Sequence, residues 1–98
     1  MAGPAQDQTQ SAPDAALLRE TILRLAGARG PEKTICPSEV ARELLGSDEK
    51  AWRLAMKPVR AEAVRLAEEG QVVIKRKGRP VDPHDFRGIY RIAIASRD

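Results

Sequence analysis

A chain of 98 residues with 42% hydrophobic and 32% charged side chains is large enough for one modest core, too small for two, and has the make-up of a soluble globular domain. Its single cysteine excludes an intramolecular disulfide, and one cysteine with one histidine falls short of the ligand set of a structural zinc site. The net charge of +3 is unevenly spread: residues 1–49 hold five basic and eight acidic side chains, residues 50–91 eleven basic and five acidic.

Residues 1–12 contain no large apolar side chain beyond Met1, so a disordered tail is expected over 1–13 and a folded domain over 14–95, with 96–98 frayed. No basic segment leads into an apolar stretch, and no run approaches the ~18 apolar residues of a membrane span, so a cytoplasmic protein is expected. Asp14 is placed to cap a first helix whose inward face is Leu18, Ile22, Leu25 and Ala26. Gly27 to Pro31 reads as the loop that ends it.

Thr34, Ile35 and Cys36 favour extended structure, but the run is only long enough for a minor strand. Pro37 suits the first position of a short helix, with Glu39 in capping-box spacing from Cys36, Val40 and Leu44 turned inward, and Gly46 as its stop. Asp48 can cap the next element. That element carries the longest apolar stripe: Trp52, Met56, Val59, Ala63 and Leu66, spaced by four, three, four and three. Arg53, Lys57 and Arg60 flank the stripe, and Glu62 and Glu69 fall on the acidic side across from them. Pro58 should break the element into two helices.

Gly70 ends the helical region. Val72 to Lys77 then reads as a strand, and Ile89 to Ile94 as its partner with Tyr90, Ile92 and Ile94 inward and Arg91 outward. Gly78 to Gly88, with two prolines, reads as one long hairpin loop.

The order helix, short strand, helix, helix, strand, loop, strand predicts an α+β winged helix-turn-helix: a three-helix core covered by a C-terminal β-hairpin, the wing. The runs ICPSEVARELLG, WR with Met56 and VR, KGRPVDP and RGIYRI also resemble a bacterial family of short proteins known only as a domain of unknown function. That resemblance spans most of residues 15–94. It implies a winged-helix-like fold and brings no activity, cofactor or catalytic residue.

The functional expectation rests on position. Arg53, Lys57 and Arg60 line the third helix, and Lys75, Arg76, Lys77, Arg79 and Arg87 surround the wing. Together they suit double-stranded DNA, with lysines on phosphates and Arg60 as the base reader. Asp82 and Asp85 count against the wing tip itself. The alternative is a protein-interaction module on the same fold, with these cations merely solvated. Catalysis is not expected. His84 beside Asp85 has no paired nucleophile, Cys36 reads as inert packing, and GARGP lacks the lysine of a phosphate loop. No cofactor and no metal are expected, and no heptad repeat marks a dimer interface.

Overall fold

The computed structural model describes residues 14–96; the expected tail, residues 1–13, and residues 97 and 98 lie outside them. The described chain is α+β. It runs α1 (Ala15–Arg29), α2 (Pro37–Leu45), α3 (Glu49–Leu54), α4 (Met56–Glu68), β1 (Val72–Arg76), β2 (Arg79–Pro80) and β3 (Arg91–Ile94).

α1 forms because Leu18, Ile22 and Ala26 recur at every fourth residue and share one buried stripe with Thr21. The Thr21 hydroxyl donates to the Leu17 carbonyl at 2.8 Å, so its burial leaves no polar group idle. Both ends depart from expectation. Asp14 holds the N-cap position, but its side chain accepts nothing from the helix; its carbonyl takes the Leu18 N–H at 3.0 Å. Gly27 does not stop the helix, which continues to Arg29 and closes at Gly30, φ 86°. One interior glycine costs only about 1 kcal/mol against alanine, less than burial of the Leu18–Ile22–Ala26 stripe contributes.

Ile35, in the run expected as a minor strand, is buried and exchanges two backbone hydrogen bonds with Ile92, of 2.8 and 3.0 Å. α2 then starts at Pro37, where the Cys36 N–H donates to the Glu39 carboxylate at 3.0 Å. Val40 and Ala41 are buried, and Gly46 ends the helix. Asp48 caps α3, accepting from the Lys50 N–H at 3.1 Å.

The helical region does break, but at Ala55 rather than Pro58. A proline ring collides with the carbonyl four residues before it, here that of Leu54, so α3 ends there. Pro58 lies in the first turn of α4, where an amide would lack a helical acceptor anyway. The apolar stripe is split accordingly: Val59, Ala63 and Leu66 are buried, whereas Trp52 and Met56 are half-buried at the core's edge. Glu62, expected on an exposed acidic flank, is only 4% exposed. Arg65 reaches it at 2.5 Å and Arg19 of α1 at 4.0 Å, and Arg19 also grips Glu69 through bonds of 3.0 and 2.7 Å. The Arg19 fork holds the Glu69 carboxyl below its ordinary range.

The sheet is antiparallel with β1 in the centre, in the order β2-β1-β3. Val72 pairs with Ile94 and Ile74 with Ile92, directing β-branched side chains toward the helices. The single long loop expected from Gly78 to Gly88 is replaced by two features. Lys77 and Gly78, at φ 54° and 81°, make a two-residue turn that sets Arg76 opposite Arg79 and Lys75 opposite Pro80. Positive φ at both positions matches the twist of a tight hairpin. Residues 81–90 then fold back over α4, and Phe86 and Tyr90 enter the core edge-to-face with ring centroids 5.2 Å apart. β3 begins at Arg91, and Ile89, expected within the strand, stands outside it.

Because Phe86 is buried and Trp52 only half so, Phe86→Ala should cost about 3–5 kcal/mol and more than Trp52→Ala in urea denaturation; the reverse order would place the loop outside the core. The Tyr90 hydroxyl is buried without a hydrogen-bond partner among the described residues, and burial pushes its pKa up to about 12. A folded value above the unfolded one of about 10 means that the associated stability is present below that pH and lost as pH rises toward 12. Tyr90→Phe should therefore keep or raise the melting temperature at neutral pH and flatten its fall on the alkaline side. A Tyr90→Phe protein that melts well below the parent at neutral pH would contradict this.

Candidate nucleic-acid interface

The predicted site residues divide by what their side chains are already doing. Arg53, on α3, is exposed and pairs with Glu49 one turn away at 2.9 Å. A solvated pair of this kind is worth at most about 1 kcal/mol, so it leaves the guanidinium exchangeable. Lys57, in the first turn of α4, is exposed. Arg60 is not the free base reader expected: it is half-buried, its Nη2 donates to the Phe86 carbonyl at 2.8 Å, and its guanidinium lies 4.0 Å over the Phe86 ring. The cause is the backward fold of residues 81–90, which brings an aromatic ring and an open carbonyl onto that flank of α4.

The same fold-back leaves a shallow groove of about 540 Å³ between α4 and the loop. It is lined by Lys57, Arg60, Ala61, Val64, Arg65 and Glu68 of α4 and by His84 of the loop. His84 Nε2 sits 2.8 Å from the Glu68 carboxylate, bridging loop to helix. The histidine is thus partnered by a residue of α4 rather than by the neighbouring Asp82 or Asp85. The Asp82 side chain accepts from the His84 backbone N–H at 2.9 Å, which uses one of the two loop carboxylates to shape the turn.

The second set of cations surrounds the sheet. Lys75 is half-buried and stands opposite Arg91 across the β1–β3 pair. Lys77 in the turn, Arg79 on β2 and Arg87 in the loop are exposed. Arg76 is half-buried and committed: its Nε donates to the Ile89 carbonyl at 2.9 Å. Arg91 belongs to this set and was not among the sequence candidates. Strand alternation places it outward, but only the register reveals that it lies beside Lys75. Its Nε donates to Thr34 Oγ1 at 2.6 Å, which orients the guanidinium while leaving it exposed.

The two predicted clusters meet at one place. Arg60 holds the backbone immediately before Arg87, and Arg76 holds it two residues after, so Arg87 lies between two points fixed by guanidinium groups. The turn at Lys77 and Gly78 is a separate protrusion.

Ion pairing separates the halves of the molecule. All three arginines of α1 are matched to carboxylates, Arg19 to Glu69, Arg24 to Glu43 and Arg29 to Glu39. Among the described residues, none of Lys75, Arg76, Lys77, Arg79, Arg87 and Arg91 makes an ion pair. Like charges that face one another without carboxylates raise the local potential well beyond what the net charge conveys.

Among the described residues there is no group of three or more His, Cys, Asp or Glu side chains able to hold a metal ion. No helix among them is long and apolar enough to cross a membrane. Cys36 is half-buried, with its Sγ 3.1 Å from Ser38 Oγ.

No curated protein matches this chain. The family whose pattern does match, over residues 15–95, is described as "Protein of unknown function (DUF3253)". With the match covering both the helices and the sheet, the chain belongs to that family.

Proposed function

We propose that the protein is a winged-helix domain that binds double-stranded DNA and has no catalytic role. α1, α2 and α4 serve as the three-helix core, α3 as a short lead into α4, and the β1–β2 turn with residues 81–90 as the wing. The connectivity supports this reading: Ile35, lying between α1 and α2, bridges to β3, which pairs with β1, giving the order Ile35, β3, β1, β2 across the sheet.

The observation that carries the DNA reading is the absence, among the described residues, of carboxylate partners for the cations from Lys75 to Arg91, in a molecule that pairs every arginine of α1. Unpaired cations on a strand pair and its turn neutralise phosphates at little desolvation cost, and the counterions they release drive binding. Lys57 and Arg53 would extend the contact along the helical side. Arg60, expected as the base reader, and Arg76, expected as a cation of the wing, each hold a loop carbonyl and so shape the surface.

Fluorescence anisotropy with a random-sequence duplex across a salt series tests the reading. Affinity should fall steeply with salt, and the double reversal Lys77→Glu, Arg79→Glu should flatten the slope of log affinity against log salt by about two without lowering the melting temperature. Failure of the parent protein to bind duplex at low salt would overturn the DNA reading in favour of a protein partner. Arg60→Gln should behave in the opposite way. It leaves the Phe86 carbonyl unpartnered and lowers stability by about 1–3 kcal/mol, a loss visible in thermal melts without any DNA present. A melting temperature equal to the parent's would return Arg60 to the role of a free surface cation.

A further inference from the structure

The segment Arg87–Gly88–Ile89 is exposed at all three residues and yet is held from both sides. Arg60 Nη2 takes the Phe86 carbonyl at 2.8 Å and Arg76 Nε takes the Ile89 carbonyl at 2.9 Å. Between them Gly88 adopts φ 84°, and a Cβ there would stand 3.0 Å from Arg76 Nη2. Two guanidinium groups and a left-handed glycine therefore define the shape of a short bend whose side chains touch nothing they need for folding.

What the bend presents is an isoleucine beside an arginine. Ile89 is 83% exposed, more than either of the other exposed large apolar side chains among the described residues, Leu54 at 69% and Leu17 at 43%. A braced backbone cannot let that side chain fall back onto the core, so its exposure is built in. Arg87 and Arg91 flank it, each two residues away along the chain, and neither pairs with a carboxylate among the described residues. An acidic protein surface would answer the charge, but the minor groove of a duplex answers charge and apolar tip together. Its narrow, negative floor attracts arginine, and aliphatic side chains wedge between its base steps.

We propose that the bend Arg87–Gly88–Ile89 is the part of this protein that enters the minor groove of double-stranded DNA, with Ile89 wedged at a base step and Arg87 lying along the groove floor. The inference rests on the DNA-binding reading above and adds to it the contacting segment and the groove. Arg60 and Arg76 are positioning residues for the bend.

The test uses the full chain, a short duplex labelled at both ends for energy transfer, and the variants Ile89→Ala and Arg87→Ala. Ile89→Ala should bind about tenfold more weakly, with the salt slope unchanged because no phosphate contact is lost, and should abolish the DNA bend reported by energy transfer. Arg87→Ala should instead reduce the slope by about one. Both side chains are exposed, so both variants should melt with the parent protein, and a minor-groove-binding dye should compete with the parent for the duplex. If the parent binds and Ile89→Ala binds and bends DNA equally well, the inference fails while the DNA reading stands. If the parent binds no duplex at low salt, both fail together.

Discussion

The contact on which the rest of the structure depends is the Arg60 guanidinium against Phe86. It joins α4 to a loop that has no secondary structure of its own, by stacking on the ring and by donating a hydrogen bond to the adjacent carbonyl. A cation over an aromatic face is worth about 0.5–2 kcal/mol, most where solvent is excluded, and half-burial of Arg60 favours the upper part of that range. Phe86 then closes the core on the side left open by the short β3, Tyr90 packs on its edge, and the chain enters β3 in the register set by Ile92. Without this contact the polar tie between loop and α4 is the His84–Glu68 pair.

Charge is organised by the same economy of partners. The carboxylates of α2 and α4 are drawn to the arginines of α1, and Glu62 is carried into the interior between Arg19 and Arg65. The sheet keeps its positive charge because, among the described residues, no carboxylate reaches its cations. The net charge of +3 conceals this contrast between α1, whose arginines are all paired, and the sheet, whose cations are not.

Much of this fold was legible in the residues because local rules govern it. The Leu18–Ile22–Ala26 spacing, Pro37 after Cys36, Gly46 and Asp48 each act within one or two turns, and each does what its chemistry suggests. The failures fall where a distant partner or an unsignalled backbone angle decides. Glu62 is buried because Arg19, far away in sequence, lies over it. Phe86 is core because Arg60 waits for it, and a loop residue has no periodicity to reveal that. The tight turn has no clear signature in the residues because lysine is a poor signal for a left-handed position. The same gap explains the site: cationic residues could be counted along the chain, but which of them were spent on carbonyls could not. Pro58 does break the helical region, but upstream of itself, at Ala55, because the ring acts on the carbonyl four residues before it.

The two margins of the sheet have a bearing on how copies of this protein meet. On one side β2 is two residues long and ends in Pro80; on the other, pairing consists of the single residue Ile35, after which the chain turns into a helix at Pro37. A proline supplies no N–H to an incoming strand, and an edge of one or two residues offers too few bonds to template one. Crowding many copies onto a polyanion would bring such edges close together at high local concentration. The protein is shaped so that this proximity does not turn into strand exchange or fibre growth.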